Sequence, residues 1–339
     1  MTTSTEIRLK SRPVGLPAAD NFETATVEVA APGAGEVQVR NHFMSVDPYM
    51  RGRMYDRPSY VPPFQVGEAL QGHAVGEIVA SNADGFAPGD LVTSMFGWRE
   101  AFNLAPATFA AMPAMFAKLP AHGGVSPSAY LGVLGMPGLT AYAGLLEIGQ
   151  PKEGDTVFVS GGAGAVGSVV AQIAKIKGCT VVATAGSAAK CDWLRSVGVD
   201  HAINYKQGDL LAQVQAAAPK GIDVYFDNVG GEHLEVAIEV ARQGARFAEC
   251  GMISQYNDTT PSPGPRNIIM VVGKSLKIQG FIVSNFGHLQ PQFMIDMAGW
   301  VASGRVKFEE TVMDGIAAAP RAFVGLFDGS NTGKMVVKL

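Results

Sequence analysis

The chain is short of cysteine, carries no surplus of positive charge and has no long unbroken apolar run. Its 339 residues include three cysteines, Cys179, Cys191 and Cys250, an odd and scattered set. They make neither a disulfide framework nor a C-x-x-C zinc site, which suits a reducing compartment. Against 26 Lys and Arg stand 30 Asp and Glu, a formal net charge of −4. No basic field is available to hold nucleic acid, so that partner is set aside. The opening stretch MTTSTEIRLKSRPVGLP lacks the apolar centre of a signal peptide. Two runs are free of charge, residues 123–146 and 156–174. Gly132, Gly135, Pro137, Gly138 and Gly144 interrupt the first; Gly161, Gly162, Gly164 and Gly167 interrupt the second. Both read as buried elements joined by turns, not as membrane spans. A soluble, cytoplasmic protein without a membrane partner is expected.

What is present points to a large globular protein. Hydrophobic residues make up 47% of the chain, enough for an ordinary interior, and the length suits two domains. The 41 glycines follow no G-x-y period and mark turns and close backbone approaches. Residues 36–40 alternate strictly, and 74–79 and 90–92 are strand candidates on either side of a turn-rich loop. Pro58, Pro62 and Pro63 exclude a central strand there.

From residue 156 the rhythm changes. Residues 156–160 are a short apolar run of the kind buried on both faces of a parallel sheet. Val166, Val169, Val170, Ile173 and Ile176 then recur at helical spacing, with Gly178 as the stop. Ser187 is the expected N-cap of a helix through Val197. Further strands are expected at 180–184, 201–205, 222–226, 245–250 and 276–283, with helical stretches between most of them. That alternation implies an α/β fold with a doubly wound parallel sheet of six strands. After a helix beyond Gln290, strands are expected at 307–312 and 334–338. The predicted organisation is a discontinuous β-rich domain, residues 1–130 and 305–339, around a dinucleotide-binding domain, residues 131–304.

The loop Ser160-Gly161-Gly162-Ala163-Gly164-Ala165-Val166-Gly167 carries the chemistry of that second domain. It contains G-x-G-x-x-G as Gly162, Gly164 and Gly167, follows a strand and opens a helix, with Ala165 and Val166 inside the turn. Small residues let the backbone approach a pyrophosphate, and the helix N-terminus favours its charge. A glycine turn in an unliganded domain is the alternative. An NAD site places an acid about 20 residues on, at the ribose 2′-hydroxyl. The stretch Ala183-Thr184-Ala185-Gly186-Ser187-Ala188-Ala189-Lys190 holds none, and Lys190 would attract a 2′-phosphate. NADPH is the expected cofactor; a merely solvated lysine is the other reading.

The sequence resembles the zinc-free medium-chain dehydrogenases/reductases, and within them the leukotriene B4 12-hydroxydehydrogenase/prostaglandin reductase group, with curcumin reductases and alkenal double-bond reductases alongside. SVDPYMR at 45–51, GLTAY at 138–142, GAVGS at 164–168, NY at 204–205, YFDNVGG at 225–231, CGMISQYN at 250–257 and GSNTGK at 329–334 carry the likeness in order. Zinc-dependent relatives need cysteine ligands, and no cysteine precedes position 179. No metal is expected.

The resemblance implies a GroES-like first domain, a Rossmann second domain, and hydride transfer from NADPH to the β-carbon of an α,β-unsaturated ketone or aldehyde: an enone, alkenal, curcumin or 15-oxoprostaglandin-like compound. The enolate oxygen then needs a hydrogen-bond donor, which a protonated tyrosine supplies. Tyr256 is the matching residue, with a pocket-lining role as its alternative. Cofactor contacts are implied at Tyr205, Asn228, Cys250, Gly251, Met252, Ile253, Ser254, Phe281, Ile282, Val283 and Asn331. Thr140 and Tyr142 either face the nicotinamide or pack. Tyr49 and Arg51 either line the substrate cleft, touch a partner subunit or lie in a solvated loop. Arg266 is a candidate for a substrate carboxylate. A homodimer pairing along strand 276–283 is implied as well. The rival functions are an NADPH quinone oxidoreductase on the same fold and a non-catalytic NADPH-binding protein.

Overall fold

The structure, a computed structural model, describes residues 1–120 and 124–339, so Gly123, the first residue of the first uncharged run, lies outside the described residues. The chain divides into two compact units. One comprises Met1–Leu131, Glu310–Asn331 and Met335–Leu339; the other comprises Gly132–Glu309 and Thr332–Lys334.

The first unit is built on β pairing. Strand β1 (Thr2–Leu9) lies antiparallel to β2 (Phe22–Val29). Next come β3 (Val37–Ser45), a single turn α1 (Met50–Arg53), β4 (Ala74–Ser81), β5 (Leu91–Ser94), β6 (Ala101–Leu104) and β7 (Phe116–Lys118). The alternation expected at 36–40 runs on to Ser45. The reason is long-range: Val37–Arg40 pair with β6, while Phe43–Ser45 pair with Val336–Lys338 from the end of the chain. Trp98, fully buried, stacks on Phe22 and meets the edge of Phe323.

The second unit opens with α2 (Met136–Ala143), which widens into a π turn at Gly144–Gly149. It alternates β8 (Thr156–Val159), α3 (Gly167–Ile176), β9 (Thr180–Ala185), α4 (Ala188–Ser196), β10 (His201–Asn204), α5 (Leu210–Ala217), β11 (Ile222–Asp227), α6 (Glu232–Val240) and β12 (Ala241–Glu249). The turn α7 (Met270–Gly273), β13 (Lys277–Gly280) and α8 (Gln290–Ala302) complete it. The six strands are parallel in the order β10-β9-β8-β11-β12-β13. Sequence order reverses between β8 and β11, and ligands of such sheets bind at that switch point. Phe158, Val182, Tyr225 and Phe247 fill the core beside the sheet.

The chain then returns to the first unit's sheet through β14 (Glu310–Asp314), α9 (Ala319–Asp328) and β15 (Lys334–Lys338). Two predicted strands are displaced. The one expected at 307–312 starts at Glu310, because the Gln172 side chain on α3 holds both the N–H and the C=O of Lys307, each at 2.8 Å. The one expected at 276–283 is confined to Lys277–Gly280, since helical turns begin at Val283.

Candidate active site

The glycine loop fills the step from β8 to α3. Gly162 donates its N–H to the Thr184 carbonyl at 2.7 Å, and a Cβ there would lie 2.8 Å from the Ala183 Cβ. A Cβ on Gly167 would come within 2.4 Å of the Gly161 carbonyl oxygen. At both positions only hydrogen fits. No side chain caps α3, and the positive end of its dipole lies just past Ala165 and Val166. Gly164 is bridged by Gly333, whose N–H donates to Ala163 at 2.8 Å. Asn331 lies two residues earlier, in the turn after α9.

At the end of β9 the chain reaches Gly186 and then Ser187, which caps α4 by accepting the Lys190 N–H at 3.3 Å. A Cβ on Gly186 would meet the Tyr205 hydroxyl and the Lys206 Cε, each at 3.3 Å. A hydroxyl and an ammonium stem therefore gather where an NAD site carries an acid. The sequence reading missed Lys206, although it adjoins Tyr205.

The switch point itself is organised by Asp227, fully buried at the end of β11. Its Oδ1 accepts from the Ser160 Oγ, the Tyr225 hydroxyl and the Val229 and Gly230 amides, all at 2.8 Å. Ser160 Oγ takes the Asn228 amide N–H, and Asn228 Nδ2 donates to the Ser160 carbonyl, both at 2.8 Å. Asn228 thus stands beside the glycine loop. The next loop is tied onto this one: Ile253 N–H donates to the Asn228 carbonyl at 3.2 Å, and Ser254 Oγ to the Val229 carbonyl at 2.6 Å.

These loops border an open cavity of about 570 Å³ at the carboxyl ends of β12 and β13. Cys250, Gly251, Met252, Tyr256, Phe281 and Ile282 line it, with Glu249, Gly280 and Asn285. Val283 begins the following turn and is not among them. Tyr256 is half-buried, and its oxygen accepts the Met252 N–H at 3.3 Å. Burial, with Asp227 and Glu249 nearby, pushes the Cys250 thiol up to about 12, so it is no nucleophile at neutral pH. His233, on α6, packs edge-on against Tyr205 with ring centroids 5.0 Å apart; burial holds it neutral, down at about 4.

Other predicted residues have structural partners. Tyr142 donates to Asp296 Oδ2 at 2.7 Å and packs on Phe293 and Trp300, and Thr140 bonds the Met136 carbonyl. Arg266 forms an exposed fork with Glu235, the shortest distance being 2.8 Å. In the first unit Arg51 is fully buried, bonds the Gly15 carbonyl at 2.8 Å and stacks 4.1 Å over Tyr55. Tyr49 packs against that unit's core with its hydroxyl buried, and burial raises its pKa.

Comparison with known proteins follows the same division. The family described as the N-terminal domain of oxidoreductase matches residues 5–112, and that described as zinc-binding dehydrogenase matches residues 165–300. Among the described residues there is no group of three or more His, Cys, Asp or Glu that could hold a metal ion. NADPH-dependent curcumin reductase of Escherichia coli is 41% identical over 98% of this chain and 95% of its own. The NADP(+)-dependent 2-alkenal reductase of Nicotiana tabacum is 40% identical over 98% and 96%. CurA from Vibrio vulnificus, solved in complex with NADPH, superposes with a TM-score of 0.92 at 40% identity, covering 98% of each chain.

Proposed function

We propose a function from one premise: the chain belongs to the medium-chain dehydrogenase/reductase family, in the group of curcumin, 2-alkenal and prostaglandin reductases. It is an NADPH-dependent reductase of the carbon–carbon double bond in α,β-unsaturated ketones and aldehydes. NADPH, when bound, supplies the hydride. The loop shaped by Gly162, Gly164 and Gly167 holds the pyrophosphate, with the amides of Ala165, Val166 and Gly167 facing it. Lys190 and Tyr205 hold the 2′-phosphate. Asn228, Cys250–Tyr256, Phe281 and Ile282 border the nicotinamide half.

The observation that supports the reading most is the Tyr256 hydroxyl in a cavity at the carboxyl ends of the strands, on a loop fastened to Asn228. Its oxygen accepts a backbone N–H, and a phenolic hydroxyl can accept and donate at once. That proton is offered to the substrate oxygen, where charge grows as Cβ is reduced. Tyr256 keeps its own proton and stabilises the enolate; Cα takes a proton from solvent or from a nearby hydroxyl.

The edge strand β13 offers a second copy a pairing surface. All four of its residues are exposed, and Ile268, Ile269 and Val272 nearby are more than half exposed. A homodimer that continues the sheet through β13 covers them. Three free cysteines suit the cytoplasm.

Purified protein with NADPH is to be offered 2-alkenals, enones and a quinone. Faster turnover of the enones and alkenals is expected. Turnover of the quinone alone favours the quinone-reductase reading, and tight NADPH binding without turnover favours a non-catalytic one.

A further inference from the structure

Glu249 is an acid at the end of β12, between β11 on one side and Gly280 of β13 on the other. It stands directly across the parallel ladder from Asp227, so both side chains lie on one face of the sheet. With four donors on Oδ1, Asp227 is a carboxylate. Its other oxygen, Oδ2, and both oxygens of Glu249 are buried and receive no hydrogen bond from an N–H or O–H of the protein. Two ionised carboxylates in that arrangement would be buried, adjacent and unneutralised, which is prohibitively costly.

We propose that Glu249 is a neutral acid that donates its proton to Asp227 Oδ2, and that this shared proton makes it a positioning residue for the NADPH-binding loops. The inference rests on the NADPH-dependent reading above. The groups facing the pair agree with it. From β11 come Asp227 and the Tyr225 hydroxyl, from β8 the Ser160 hydroxyl, and from α6 His233, which is neutral. Just past the end of its strand Cys250 is neutral, and Gly280 at the end of β13 and Phe281 after it adjoin it without charge. None of these is a cation. Burial first, and the Asp227 charge second, push Glu249 well above the usual carboxylate range.

The pair matters because of what Asp227 holds. Through Oδ1 it fixes Ser160, at the entry to the glycine loop, and the Val229 and Gly230 amides. The loop with Tyr256 is fastened to the same backbone. Ionising Glu249 sets two negative charges against each other under this hub and loosens both loops. Cofactor affinity then falls with rising pH, while turnover of the bound complex changes little.

The test uses the whole chain, wild type and Glu249→Gln. The glutamine amide can donate to Oδ2 but cannot ionise. NADPH binding is measured by fluorescence from about pH 7 to pH 10. Wild-type Kd is expected to rise about tenfold or more, and the variant's Kd to stay within about twofold. Infrared spectra of the ligand-free wild type should show a carboxylic-acid C=O band at neutral pH that disappears on alkalinisation. That measurement needs no variant. Identical pH profiles for the two proteins, or no such band at neutral pH, overturn the inference. Failure to bind NADPH at every pH instead overturns the functional reading, and the infrared band still locates the proton.

Discussion

Tyr256 is asked to supply one hydrogen bond at the moment charge reaches the substrate oxygen. Loss of a single preorganised donor costs about a hundredfold or more in turnover where the donor acts alone. A cofactor hydroxyl beside it would share the load, so Tyr256→Phe is expected to lower kcat about ten- to hundredfold. NADPH affinity should stay within about twofold, and a variant with unchanged kcat would remove the hydroxyl from the mechanism. Lys190→Ala belongs to the other end of the cofactor. It should raise KM for NADPH about tenfold and leave KM for NADH unaffected, as the loss of one charge-assisted contact predicts. Steady-state kinetics with both coenzymes checks this. Residue type and spacing made these positions legible: a hydroxyl in a named motif, a base where an acid is usual. Arg51 was not legible, because sequence shows its charge but not the carbonyl of Gly15 that engages it. Glu249 stood in the sequence as an ordinary strand residue, and its partner Asp227 lies 22 positions away across the sheet.

Elements were easier to read where local pattern and long-range pairing agree. The β8–loop–α3 unit follows from an apolar run, small residues and helical spacing, all within about 20 residues. The strands at 307–312 and 276–283 were misplaced because their ends depend on Gln172 and on the turns that follow Ile282. Two predictions belong here. Gly167→Ala forces a methyl group to within 2.4 Å of the Gly161 carbonyl oxygen. The loop must shift, at a cost of about 1–3 kcal/mol, and NADPH binding should weaken more than tenfold. Calorimetric titration and chemical unfolding measure the two effects separately. The second concerns α6. Unfolded, His233 takes a proton near pH 6.5; folded, it resists until about pH 4. Its folded pKa is depressed, so the stability it contributes is present above pH 6.5 and lost as pH falls towards 4, by about 3 kcal/mol in all. Urea unfolding at neutral and mildly acidic pH should show this loss in the wild type and a smaller one in His233→Gln. Equal losses would place the acid sensitivity elsewhere.

At the scale of the whole chain, a β-rich unit is split in sequence by a complete six-stranded parallel sheet. The sheet ends at an exposed edge, and the proposed dimer predicts twice the chain mass in light scattering, with Ile278→Lys shifting the protein towards monomer. The central claim is that the alkene, not the carbonyl, is reduced by NADPH. It is tested most directly by following the label from NADPH deuterated at its transferable hydrogen into a 2-alkenal. The saturated aldehyde with deuterium at Cβ is expected. An allylic alcohol carrying the deuterium at C1, or no labelled product from any enal or enone, would contradict it.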